Sequence, residues 1–296
     1  MQLLSFILAY PILWMISRIN FKTLYIISDI LFFVIYYLVR YRRTTIYNNL
    51  KMVFPEKSEM DIKEISKNST KNIVDTFVES IKSMNISEEE MKSRFKFENI
   101  EIVNRIEKNN QSIILMCGHF SGFEWMFIID RYVKSNVFAV YKRLTNRYFD
   151  RLMKKIRSKY NGTLIHTKET RKIIDENAKN GSLNLYGFAS DQTPSLKKAR
   201  HWNYFMNIWV PIHTGAENIA KKHNLALVFM KIRKIKRGYY ITTFEEITTK
   251  PNDFKDYQLT DNFMKLVEEQ IYKNPELYLW THKRWKHRNK TQKTNN

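Results

Sequence analysis

Apolar residues crowd the first forty positions of the chain and then give way to periodic patterns. Positions 1–17 carry no charge and are largely apolar, Arg18 and Lys22 interrupt, and a second apolar run over 24–39 holds only Asp29 before Arg40, Arg42 and Arg43 close it. Each run falls slightly short of the roughly 20 residues that cross a bilayer, and Pro11 lies within the first. Residues 1–43 therefore read as a tilted membrane anchor, an interfacial helical hairpin or a pair of core helices. The basic start and small-residue cleavage site of a secretory signal are missing, so the segment is expected to be retained. The arginines after position 39 put the remainder of the chain on the cytoplasmic side of a membrane by the positive-inside rule.

From 47 to 84 the spacing is helical, with Pro55 as a break and Ser58 as the cap of a helix carrying Ile62, Ile65, Ile73, Val74, Phe77 and Ile81. A short helix opens at Ser87, 95–97 reads as a strand and 100–108 as a helix. Beyond this point apolar runs predict strands at 112–117, 137–141, 163–165, 182–187, 226–231 and 239–244. Helical patterns near 123–133, 147–160, 170–179 and 216–222 separate them. The alternation predicts an α/β fold: a mixed, mainly parallel central sheet flanked by helices, with the N-terminal membrane-associated helical segment attached. The expected divisions are 1–43, a globular part at 44–288 and a basic flexible tail at 289–296.

Composition narrows the partners. The chain has 296 residues with 44% hydrophobic content, enough for one sizeable domain and an appendage. Its net charge of +21 calls for anionic partners: nucleic acid, phospholipid headgroups, phosphorylated substrates or an acidic protein. No RNP-type, zinc-finger or helix-turn-helix signature accompanies the aromatics, so no nucleic acid is expected, although a basic membrane-associated nucleic-acid binder fits the charge alone. Cys117 is the single cysteine, which rules out an intramolecular disulfide. The scattered histidines form no ligand spacing, so no metal is expected.

Chemistry gathers where predicted strands end. In Ile-Leu-Met-Cys-Gly-His-Phe-Ser-Gly-Phe-Glu-Trp (114–125), Gly118 breaks a strand and His119 sits at the turn into a helix, with Glu124 five residues on. A neutral histidine whose second nitrogen is held by a carboxylate has the tautomer needed to deprotonate a hydroxyl. The plainer reading stands beside it: Ser121 and Glu124 have the spacing of a capping box. Tyr-Lys-Arg-Leu-Thr-Asn-Arg-Tyr-Phe-Asp (141–150) comes after the next strand, and residues 142–159 hold eight Lys or Arg against one acid, Asp150. Lys142 and Arg143 suit a phosphate or phosphopantetheine clamp. Ser-Asp-Gln-Thr-Pro-Ser (190–195) puts a further carboxylate at a strand end, or marks a turn. Thr214-Gly-Ala-Glu217 is a second capping-box candidate. Tyr-Leu-Trp-Thr-His-Lys-Arg-Trp-Lys (278–286) mixes aromatic and basic residues as membrane-interface segments do.

The segments at 118–125, 140–150, 190–194 and 278–285, in this order, resemble the late acyltransferases of lipid A biosynthesis, within the lysophospholipid acyltransferase superfamily. The resemblance spans nearly the whole chain. It implies that residues 44–288 form an acyltransferase domain at the bacterial inner membrane, its catalytic side cytoplasmic, moving an acyl chain from an acyl carrier protein thioester to a hydroxyl of a lipid A precursor. No cofactor is implied. His119 would be the general base and Glu124 its orienting partner, with Lys142, Arg143, Asn146, Asp191 and Gln192 binding substrate. Backbone N–H groups near 121–123 would face the oxyanion. An acceptor of another kind, such as a different glycolipid, a lysophospholipid or an aminolipid, would call on the same chemistry. Acyl carrier protein, the lipid acceptor and an anionic membrane surface are the expected partners.

Overall fold

The computed structural model describes residues 1–290; the end of the expected tail, 291–296, lies outside the described residues. Helices α1 (Gln2–Arg18) and α2 (Phe21–Phe33) form the N-terminal hairpin, and α2 runs on as a π-helical segment, Val34–Val39. Helices α3 (Arg43–Val53), α4 (Glu59–Lys82) and α5 (Glu88–Arg94) lead into strand β1 (Phe95–Phe97) and helix α6 (Glu101–Lys108). The α/β part continues as β2 (Ile113–Cys117), a 3-10 helix (Phe123–Arg131), β3 (Asn136–Tyr141), α7 (Arg147–Arg157), β4 (Thr163–His166), α8 (Thr170–Lys179) and β5 (Asn184–Ala189). A hairpin of β6 (His201–Phe205) and β7 (Ile208–Ile212) precedes α9 (Gly215–His223), β8 (Ala226–Lys236), β9 (Tyr239–Thr248) and α10 (Gln258–Lys273).

Seven strands form one sheet in the order β1-β9-β8-β2-β5-β3-β4. The pairs β8–β2, β2–β5, β5–β3 and β3–β4 are parallel. This is the mixed, mainly parallel α/β sheet that the alternation predicts. β9 departs from it: it turns back at Gly238 (φ 72°) and pairs antiparallel with β8. Every residue of β2 is buried, so its unbroken apolar run marks a strand covered on both faces. Ile114 and Met116 join one core with Tyr186, Phe188, Leu227 and Phe229. Ile113, Leu115 and Cys117 point into the other with Leu185, Val228 and Met230, as the two-residue period of a strand requires. The β6–β7 hairpin and α10 are additional to the predicted elements, α10 burying Leu259, Phe263, Met264, Val267 and Ile271 at helical spacing.

Local signals explain several helix ends. Ser58 and Asp61 form the capping box of α4, Ser58 Oγ accepting from Asp61 N at 3.1 Å and Asp61 Oδ2 from Ser58 N at 3.3 Å. The capping box expected at Thr214 and Glu217 does not form. Glu217 instead accepts from Tyr257 N at 2.7 Å and Thr260 N at 2.8 Å, so its carboxylate meets the free N–H groups at the start of α10.

The hairpin lies against the domain along one side. Ser28 Oγ donates to Asp75 at 2.7 Å, Tyr25 donates to Glu79 at 2.8 Å, and Arg237 from the β8–β9 turn makes paired bonds to both Asp29 and Asp75. At the other end Phe6 stacks on Tyr148 and meets Phe149 edge-on, fixing α1 to α7. The outer side stays apolar and exposed, with Leu4, Ile7, Leu8, Ile12, Met15, Ile26, Ile30, Phe33, Leu38 and Val39 uncovered. Phe21–Val39 is long and apolar enough to cross a membrane by length and composition.

Candidate active site

Register explains what meets at the sheet's C-terminal edge. Cys117, the last residue of β2, lies opposite Ala189, the last of β5. His119 and Asp191 each come two residues later on neighbouring parallel strands, so they leave the sheet side by side. Asp191 Oδ1 sits 2.6 Å from His119 Nδ1, and Asp191 Oδ2 accepts from the His119 backbone N–H at 3.2 Å. One carboxylate thus fixes both ring and main chain. Because the Asp191 carboxylate is held ionised, Nδ1 of the neutral ring donates to it, which leaves Nε2 with its lone pair.

The carboxylate expected to orient the ring does something else. Glu124 binds Arg157 at the end of α7 through two bonds, 2.9 Å from Nε and 2.5 Å from Nη2. Gly122, at φ 87°, turns the chain into a 3-10 helix rather than an α-helix, and Glu124 reaches the guanidinium from its first turn. A fork-shaped donor with matched geometry outcompetes a single imidazole N–H. The Ser121–Glu124 capping box is absent for the same reason; Ser121 N donates to Leu277 O at 2.9 Å. Both Glu124 and Arg157 remain within electrostatic reach of His119.

The other expected substrate ligands are dispersed. Asp191 is fully buried and bound to both the ring and the backbone N–H of His119. Asn146 caps α7, accepting from Tyr148 N at 3.0 Å, and donates to Gln2 O of α1 at 3.1 Å, so both ends of its amide are engaged. Lys142 and Arg143 are exposed just past β3, Arg143 lying 3.6 Å from Glu169. Gln192 is half-buried on the Asp191 loop.

The C-terminal segment is not an interfacial strap. Trp280, Arg284 and Trp285 are almost completely buried, the two tryptophans within the same core as Phe120 and Tyr278. Phe120 bridges to Tyr278, and Leu279 N donates to His119 O at 3.0 Å. Arg284 Nε donates to Asp191 O at 2.6 Å and Nη1 to Pro211 O at 3.2 Å. Arg157, Tyr278 and Arg284 escaped the sequence reading as site residues. Arg157 lay within a basic run that reads as a solvated face, while the other two sat in a segment assigned to a membrane surface.

Electrostatics separate one histidine from its neighbours. Burial opposes a charge on His119, but Asp191 beside it, with a smaller contribution from Glu124, raises its pKa above the ordinary 6.5. Burial also opposes the Asp191 charge, yet His119 and the Tyr278 hydroxyl hold its carboxyl below the ordinary range. His213 and His282 are pushed down to about 4 by burial and by Arg284, which outweigh the pull of Asp191 on each, so both are neutral at pH 7. Burial drives the Cys117 thiol up to about 12, which removes it as a nucleophile. His119 opens onto a narrow cleft of about 50 Å³ lined by Ile73, Thr76, Phe123, Leu277 and Leu279.

A model of the family described as bacterial lipid A biosynthesis acyltransferase matches residues 3–287. This chain belongs to that family. Lipid A biosynthesis palmitoleoyltransferase of Escherichia coli (strain K12) is 22% identical over 242 residues, covering 81% of this chain and 77% of the relative. Lipid A biosynthesis acyltransferase of Shigella flexneri matches with the same identity and coverage. As a member of the lipid A biosynthesis acyltransferase family, the chain is a transferase of acyl groups. No group of three or more potential metal ligands occurs among the described residues.

Proposed function

We propose that this acyltransferase moves a fatty acyl chain from an acyl carrier protein thioester to a hydroxyl of a lipid A precursor, with His119 as general base and Asp191 as its positioning carboxylate. The single observation that carries this reading is the 2.6 Å contact between His119 Nδ1 and Asp191 Oδ1. Nε2 takes the acceptor's proton as the oxygen attacks the thioester carbonyl carbon. The carbon–sulfur bond then breaks, and the departing sulfur receives that proton from the imidazolium. Direct attack needs no acyl-enzyme.

Two of the three amides expected to face the oxyanion are already engaged, Ser121 N with Leu277 O and Phe123 N with Phe120 O. Arg157 is the better electrostatic partner for the developing charge: Glu124 fixes two of its nitrogens and leaves Nη1 to donate. Lys142, Arg143 and the basic face of α7 suit the acidic surface of a carrier protein. The exposed apolar side of α1 and α2 attaches the enzyme to the bacterial inner membrane, lying in its plane, because the polar contacts of Tyr25, Ser28 and Asp29 hold α2 against the domain.

The test is mass spectrometry of purified protein incubated with acyl carrier protein thioesters and lipid A precursors. Wild-type protein is expected to add the mass of one acyl chain, and His119→Ala to lose that product while keeping its fold. Undiminished transfer by the folded variant would sink the mechanism.

A further inference from the structure

A pocket of about 450 Å³, separate from the catalytic cleft, opens where the apolar N-terminal segment ends. It falls within the roughly 300–1,000 Å³ usual for small-molecule sites. Tyr36 from the π-helical segment, Arg40, Arg43 and Thr44 at the start of α3, and Lys63 and Ser66 from α4 line it, with no acidic residue among them. Glu59, one turn before Lys63, is bound to Lys51 at 2.6 Å and to the Tyr47 hydroxyl. Among the described residues Arg40, Arg43 and Lys63 form no ion pair, whereas Lys71 and Arg237 on the neighbouring side of α4 do.

The backbone is unusual at the same place. Arg40 (φ 54°) and Arg42 (φ 51°) are both left-handed, a conformation that residues with a Cβ rarely adopt. Arg42 is anchored by its bond to Thr281 O at 3.1 Å, and the Arg43 guanidinium lies over the Tyr36 ring at 4.6 Å. These contacts hold a sharp reversal that presents cations from two directions. Strain of this kind persists where its surroundings over-determine it, and it gathers at ligand clamps. Leu38 and Val39, more than three-fifths exposed, lie immediately before Arg40.

We infer that this pocket binds the phosphate of an anionic lipid headgroup, with Arg40, Arg43 and Lys63 as its cationic ligands and the lipid's acyl chains running along Leu38 and Val39. The reading does not depend on His119 or on acyl transfer. It is tested with the full chain in neutral detergent, titrated calorimetrically with dihexanoyl phosphatidic acid, dihexanoyl phosphatidylcholine and inorganic phosphate. Phosphatidic acid is expected to bind, and the triple variant R40Q/R43Q/K63Q to weaken it by at least about ten-fold. Lys63→Gln alone, on the exposed side of α4, is expected to weaken it less while leaving the fold intact. His119→Ala is expected to bind like wild type, so loss of transfer and loss of lipid binding are read apart. Displacement by inorganic phosphate would assign the site to the phosphate group itself, and its failure to compete would assign it to phosphate carried on acyl chains. Equal affinity in wild type, the triple variant and Lys63→Gln, or phosphatidylcholine binding as tightly as phosphatidic acid, would overturn the inference.

Discussion

Two fully buried carboxylates, Asp191 beneath the cleft and Glu79 beneath the N-terminal hairpin, are driven in opposite directions by what surrounds them. Asp191 faces an imidazole, a backbone N–H and the Tyr278 hydroxyl, and its carboxyl is held low. Glu79 receives hydroxyl protons from Tyr25 at 2.8 Å and Tyr240 at 2.9 Å, but burial and the neighbouring Asp75 carboxylate push it up to about 7. Burial is common to both. The partner decides the charge, and only Asp191 has a partner that opens onto a cleft. On the proposed mechanism a buried acid serves catalysis where it governs a group that opens onto a cleft, and structure where it ends in hydroxyls.

The largest effect expected from breaking this contrast is at His119. His119→Ala should lower transfer by about 10²–10⁴-fold with little change in melting temperature, measured by mass spectrometry and thermal unfolding. Asp191→Asn should rank second, at roughly 10²-fold or more, because the ring loses its fixed tautomer. It should also move the acid limb of the kcat/KM profile. The base must be neutral, so wild-type activity should rise with pH through a value above 6.5. Removing the carboxylate that favours the imidazolium should shift that limb to lower pH. An unmoved limb would remove Asp191 from the role assigned to it.

Glu124→Gln comes next. Its side chain and that of Arg157 are only 11% and 17% exposed, so losing the charge should cost about 1.5–3 kcal/mol in chemical denaturation. Transfer should fall less than in His119→Ala. The smallest effect belongs to Glu79→Gln, about 1 kcal/mol or less at pH 7 with transfer retained. Its signature is pH dependence. A folded pKa of about 7 against an ordinary 4.5 gives stability that is fully present below about 4.5 and lost as pH rises through 7. The variant should flatten that decline in urea titrations.

How far the sequence could be read depends on the range of each interaction. Strands β2, β3 and β5 announce themselves as short apolar runs, and Ser58 marks the start of α4, because those signals are local. His119 stands out because Gly118 ends a strand beside it. The His119–Asp191 pair was open to discovery only through register: both residues come just after a predicted strand, but nothing local says that the two strands are neighbours. Glu124 misled because proximity along the chain favoured it, while Arg157, 33 residues further on, had a better claim on its oxygens. Trp280 and Trp285 misled in another way. Aromatic and basic residues intermixed suit a lipid boundary, yet here the rings stack on each other at 5.7 Å inside the core.

The bond from Leu279 N to His119 O and the bridge between Phe120 and Tyr278 bear on how the enzyme matures. The imidazole leaves the ribosome 160 residues ahead of Leu279, which braces it. A chain halted between the two carries its base without the brace, and stop codons upstream of Tyr278 should yield proteins without transfer activity.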